Sequence, residues 1–234
     1  MTTIAIAAVA AAGNLAGALA VIRRLERSLR AIDVGIAFSA GFMLSVAVIG
    51  VLPEVFARDD VSAAWSVLGG YLAVHVAQHV LAPHFHFGEE THHVSAFAGL
   101  AALVGLAVHT FFDGVAIAAG FLASGKLGVL LALSVLLHKL PEGVTVASLM
   151  VAGGHGRRGA IIAAGIVGLA TVLGVLLTES VALLARHGLA LAAGVTLYVA
   201  ASELVPAFQS RRRGVATVAF FGGVGTFLLA NLLV

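Results

Sequence analysis

The 234-residue chain contains no cysteine, which removes disulfides and thiolate ligands from consideration. Their absence also argues against a carrier of copper(I), because soft metals prefer sulfur. Any metal site must therefore use imidazole, carboxylate and water. Charge is scarce as well: charged residues make up 10% of the chain and apolar ones 61%. Together with a mean hydropathy of +1.10, this excludes a water-soluble domain and indicates a polytopic membrane protein. Alternating strand patterns of about ten residues are missing, which argues against a transmembrane barrel. The pI of about 9.5 comes from arginines that flank apolar segments, so it carries no implication of nucleic acid.

Polar punctuation divides the sequence into eight apolar segments, with rough limits 2–22, 32–54, 62–82, 95–121, 127–150, 159–182, 187–207 and 214–234. Each is long enough to cross about 30 Å of hydrocarbon as a helix. The connections are too short for a separate soluble domain, so a single membrane domain over 1–234 is expected. The loops after spans one, three, five and seven hold nine basic residues: Arg23, Arg24, Arg27, Arg30, Arg157, Arg158, Arg211, Arg212 and Arg213. The opposite loops hold three, Arg58, Lys126 and Arg186. Because basic loops prefer the cytoplasm, both termini are expected outside. The charges follow the first apolar run instead of preceding it, so that run reads as an uncleaved span rather than a signal peptide.

Two stretches echo each other, AGFMLSVAVIGVLP at 40–53 and AGVTLYVAASELVP at 193–206. They lie in spans expected to run in opposite directions, which suggests an inverted repeat. The loop after span three carries His84, His86, Glu89, Glu90, His92 and His93, a composition able to hold divalent metal loosely. His75 and His79 are four apart in span three with no carboxylate on their face, and read as packed or interfacial histidines.

The most informative runs are HTFFDG at 109–114 and HKLPEG at 138–143. Each sets a histidine four residues before a carboxylate, so His109 stacks over Asp113 and His138 over Glu142 on a helix face. Ionisable groups deep in an apolar span cost about 2.5–3.5 kcal/mol each on insertion scales and mark functional sites. Two imidazoles and two carboxylates balance a divalent cation and suit zinc. Pro141 has no N–H, which leaves the Leu137 carbonyl without its helical partner beside the site. Gly114 and Gly143, directly after the acids, allow close approach of another helix.

These two runs, their order in spans four and five, the eight-span plan and the histidine-bearing loop resemble the ZIP (Zrt/Irt-like) family of divalent metal transporters, whose motifs take the form HNxxDG or HNxPEG. The resemblance implies an all-α membrane fold of eight transmembrane helices, in which inverted three-helix repeats flank two central metal-binding helices. It implies import of zinc, or of iron, manganese or cadmium, as transported substrate into the cytoplasm, with His109, Asp113, His138 and Glu142 as ligands. It also implies a second metal in several members, but here those places hold Thr110, Lys139 and Thr171, and an ammonium does not fit a cation site. One metal is therefore expected. The helix turns Lys139 about 100° from His138, which makes Asp113 and Glu142 its expected partners. Glu54 and Glu203 are candidate pathway residues, whereas Glu179 reads as an interfacial carboxylate.

Expected partners are divalent metal ions and the lipid bilayer, with a homodimer allowed; the expected location is the cell membrane, read as a bacterial inner membrane. An enzyme is not expected. The rival reading is an intramembrane zinc-dependent hydrolase, which would keep one coordination position open for water. It lacks an HExxH motif.

Overall fold

The computed structural model describes residues 3–23, 29–57, 61–79, 96–209 and 213–233, and every regular element among them is a helix. In chain order these are α1 (Thr3–Ile22), α2 (Leu29–Ser45), α3 (Leu52–Phe56), α4 (Val61–His79), α5 (Ala96–Ala123), α6 (Gly125–Ala152), α7 (Gly156–Ser180), α8 (Ala182–Tyr198), α9 (Val205–Gln209) and α10 (Arg213–Leu233). Two continuous rods contain π-helical turns: Val46–Val51 joins α2 to α3, and Val199–Leu204 joins α8 to α9. Their cause is local. Pro53 and Pro206 have no N–H for the carbonyl four residues back, and the preceding N–H groups reach five residues back, Leu52 to Ala47 and Val205 to Ala200. Wide turns of this kind often mark functional regions.

Seven helical stretches among the described residues are long and apolar enough to cross a membrane: 3–22, 33–56, 99–123, 125–152, 156–180, 182–207 and 214–233. The expected third span, 62–82, coincides with α4 but is not one of the seven, and residues 80–82 lie outside the described part. Ser62, Ser66, Tyr71, His75, Gln78 and His79 dilute its hydropathy. Its 19 residues still make a rod about 28 Å long.

Short connections force neighbouring helices to run antiparallel. Ser124 alone separates α5 from α6, and its side chain caps α6 by accepting from the Leu127 N–H at 3.1 Å. The turn into α7 uses Gly154 and Gly156 at φ +84° and +66°, a backbone region that side chains avoid. Helices α1, α5, α6 and α7 pack on one another, while α2 pairs with α10 and α4 with α8; α5 against α8 and α2 against α6 join the two sets. Buried Phe42, Val46, Leu130, Leu131, Leu189 and Phe227 form a core spanning both sets. Outward positions such as Val104, Leu169, Val218 and Leu229 are apolar and exposed, as a hydrocarbon solvent requires.

Small residues set the helix spacing. A Cβ on Gly194 would lie 1.9 Å from the Val67 carbonyl oxygen, whereas one on Gly225 meets nothing within 4 Å. Gly194→Ala is accordingly expected to force α4 from α8 and lower stability by about 1–3 kcal/mol. Gly225→Ala should leave stability unchanged or raise it by about 0.5–1 kcal/mol. Thermal unfolding of the purified variants in detergent checks both, and equal melting temperatures would refute the packing account.

Candidate metal centre

Helices α5 and α6, 28 residues each, carry the two His–carboxylate pairs on faces that meet inside the bundle. One ligand atom from each of His109, Asp113, His138 and Glu142 lies within 4.8 Å of the others. Their residues are 3%, 3%, 3% and 2% exposed, so the cluster is sealed from both lipid and water. His138 Nδ1 is 2.8 Å from the Ser134 carbonyl oxygen, which can only accept, so Nδ1 carries the proton of the neutral ring. That leaves the Nε2 lone pair aimed at Asp113 Oδ2 at 3.3 Å and Glu142 Oε2 at 3.9 Å. His109 Nε2 also approaches Asp113 Oδ2 at 3.3 Å without completing a hydrogen bond. A ring whose second nitrogen donates to a backbone carbonyl, as in His138, presents its other nitrogen in the tautomer that metal ions bind.

Lys139 is fully buried in the same cluster, its Nζ 2.6 Å from Asp113 Oδ2 and 2.7 Å from Glu142 Oε2. The ammonium bridges the two acids across α5 and α6 and neutralises one of their two charges. Among the described residues, Glu142 Oε1 has no hydrogen-bond partner. Thr110 is also buried, but its hydroxyl donates to the Ala107 carbonyl of its own helix at 3.2 Å. Thr171 is buried on α7, and its hydroxyl has no partner among the described residues.

The helix defect at Pro141 is repaired from outside α6. Ser39 on α2 donates to the Leu137 carbonyl at 2.9 Å, the group that proline leaves without a helical partner. A Cβ at Gly143 would sit 2.1 Å from the Asn14 carbonyl oxygen, and one at Gly114 2.0 Å from that of Thr171. The glycine after each acid thus admits a neighbouring backbone, α1 on one side and α7 on the other. Asn14 is itself fully buried, and neither amide atom has a partner among the described residues. Sequence reasoning passed over both Ser39 and Asn14. Asn14 had a signal, an amide in the middle of an apolar span; Ser39 had none, since serine is common in such helices.

Glu203, in the π-helical turn after α8, is buried within electrostatic reach of His109, Glu142 and Asp113. Gln78 lies beside it, yet neither Glu203 oxygen completes a hydrogen bond of good geometry. Glu54 is exposed in the first turn of α3 and is not part of the cluster. Glu179 is exposed and accepts from Thr3. His75 and His79 stack at 4.5 Å, with His79 Nδ1 3.1 Å from the Tyr198 hydroxyl. The loop residues His84, His86, Glu89, Glu90, His92 and His93 lie outside the described residues.

A sealed set of two imidazoles and two carboxylates on adjacent apolar helices defines a membrane protein with a candidate metal-binding group in its interior. Residues 88–231 match the model of the ZIP zinc transporter family, and the chain belongs to that family. No curated protein matches it. Members of the family are metal transporters rather than enzymes, which identifies this chain as a multi-pass membrane protein of metal transport.

Losing the Ser39 hydroxyl would strand the Leu137 carbonyl. Ser39→Ala is expected to lower stability by about 1–3 kcal/mol, measured by thermal unfolding in detergent. Ser39→Thr, which keeps the hydroxyl, should lose less; equal losses would show that the hydrogen bond is not responsible.

Proposed function

We propose that this protein carries a divalent transition metal, zinc foremost, across the cell membrane into the cytoplasm through one site made by His109, Asp113, His138 and Glu142. The observation that carries this reading is the convergence of four ligand atoms within 4.8 Å, in groups no more than 3% exposed. Lys139 offsets only one of the two carboxylate charges, so the group stays net negative with imidazole nitrogens facing its carboxylate oxygens, a desolvated setting that attracts a further cation. Burial also means that a metal enters only when the helices move, which fits alternating exposure of a carrier. A hydrolase would instead need access for substrate and a position for water.

Lys139 supports a site for one ion rather than two. Its ammonium takes the space between the two carboxylates, where a second cation would be repelled. Glu203, buried beside the cluster, fits the next station along the path.

Eight spans arranged as inverted repeats fit the packing, with α4 as the third. Adding 153 to the residue numbers of the first half gives those of the second. Gly41 against Phe220 and Gly70 against Leu191 become Gly194 against Val67 and Gly223 against Phe38, with the partners exchanged; all four are backbone contacts. The same shift carries the π-helical turn Val46–Val51 onto Val199–Leu204. Both termini outside, as loop arginines favour, fits this plan.

Purified protein in liposomes is expected to accumulate zinc. Alanine at His109, Asp113, His138 or Glu142 should abolish most uptake in folded protein, a larger loss than the 10–100-fold in affinity that follows removal of outer partners of metal ligands. Wild-type uptake by two of these variants would refute the site. Lys139→Ala removes a positive charge close to the metal. It should raise metal affinity by about tenfold, on the order of 1.4 kcal/mol, in titrations of folded protein. Weaker binding would show that the ammonium supports the ligands rather than opposing the ion.

A further inference from the structure

Four helices pass the metal cluster, and each carries its buried polar residues at one level. On α5, His109 and Asp113 lie between Leu106 and Ile117; on α6, His138 and Glu142 lie between Val135 and Val146; on α7, Thr171 lies between Val167 and Val175. On α1 the corresponding residue is Asn14, between Ala10 and Ala18. The flanking residues fall into two apolar clusters. Ala10, Ile117, Val135 and Val175 pack in one, and Ala18, Leu106, Val146 and Val167 in the other. Asn14 is therefore the contribution of α1 to the polar layer that holds the four ligands, and it is fully buried.

That position would also suit an amide that only ties helices together, a common use of polar side chains inside membrane proteins. Among the described residues, however, neither Asn14 amide atom has a hydrogen-bond partner, so it makes no such tie. In the same layer Glu142 Oε1 also lacks one, while Glu142 Oε2 accepts from Lys139 at 2.7 Å. The two orphans are complementary, because Asn14 Nδ2 can only donate and a carboxylate oxygen can only accept. They also belong to touching helices. A Cβ at Gly143 would lie 2.8 Å from Asn14 Cα, and Glu142 is one residue from Gly143, a Cα step of about 3.8 Å. That separation is within the combined reach of an amide and a carboxylate side chain.

We propose that Asn14 is a positioning residue of the metal centre, its amide N–H donating to Glu142 Oε1 when a metal draws Oε2 away from Lys139. The proposal rests on the four-ligand reading of the site. A carboxylate that gives up the ammonium on one oxygen then gains a donor on the other, so Glu142 faces the ion in a single orientation. Outer partners of this kind orient metal ligands and change affinity by about 10–100-fold.

The test is the zinc affinity of the purified full chain in detergent, measured by calorimetry on variants matched in size. Asn14→Ala should weaken zinc binding by about tenfold. Asn14→Ser, which has nearly the same volume but keeps a donor, should lose clearly less. Wild-type affinity in folded Asn14→Ala would overturn the proposal, and so would equal losses in the two variants, because packing alone does not distinguish them. Asn14→Val and Asn14→Thr repeat the comparison at larger volume if the smaller pair fails to fold. Glu142→Ala is measured beside them. If it binds zinc as the wild type does, the four-ligand site itself falls; if it loses affinity while Asn14→Ala does not, only the role of Asn14 is removed.

Discussion

Two carboxylates and an ammonium held out of water set the terms for the structure around them. Each ion buried in a protein interior costs several kcal/mol in lost hydration, and removing one partner of a buried pair costs about 3–5 kcal/mol. Asp113, Glu142 and Lys139 are therefore stable only while α5 and α6 stay in the register that brings Nζ to 2.6 and 2.7 Å from the acids. That register depends in turn on α1 and α7. Their backbones press against Gly143 and Gly114, so no space remains in which the ion group could loosen. Apolar cores on either side, around Ala163 and Val167 and around Ile117 and Val135, complete the enclosure.

The two central helices are related but not equivalent. Adding 29 carries His109, Asp113 and Gly114 onto His138, Glu142 and Gly143, and it carries Thr110 onto Lys139 and Phe112 onto Pro141. The ligands are thus duplicated while the counter-charge and the helix defect belong to α6 alone. Phe112 packs against the cluster around Tyr198 and Val199, whereas Pro141 opens a carbonyl that Ser39 of α2 must satisfy. Movement of α6 relative to α2 would break that bond, while α5 carries no matching proline. The asymmetry gives the bundle one helix whose main-chain hydrogen bonding is completed by a side chain from the neighbouring set.

The parts of this arrangement that were legible in the sequence were those governed by local spacing. A four-residue repeat brings His109 to Asp113 and His138 to Glu142 on any helix, and a carbonyl opposite Pro141 is orphaned wherever the chain goes. Which group fills that orphan depends on a contact between residues 98 apart in sequence, and no local pattern encodes it. Glu54 and Glu203 looked alike as carboxylates near span ends; burial distinguishes them, because Glu203 falls on the inner side of a π-helical turn and Glu54 on an exposed face of α3. Helix α4, the expected third span, is less apolar than the seven because it spends its polar residues on partners: Tyr71 on Ser202 at 3.1 Å, Ser66 on His187, and His79 on Tyr198. Hydropathy counts such residues as costs, although their hydrogen bonds are made inside the protein.

The ion balance of the proposed site bears on how a metal leaves it. With neutral histidines, the two acids and Lys139 carry a net charge of −1, and a divalent cation would make it +1. Asp113 Oδ2 is the atom contested, since it lies 2.6 Å from Nζ and 3.3 Å from both imidazoles. A metal held through that oxygen in the proposed site would share it with the ammonium, which on departure could reclaim it without leaving a bare carboxylate in the membrane. In the proposed site Lys139 would thereby lower the cost of the empty state and raise that of the filled one, the two changes that a carrier needs in order to release its ion.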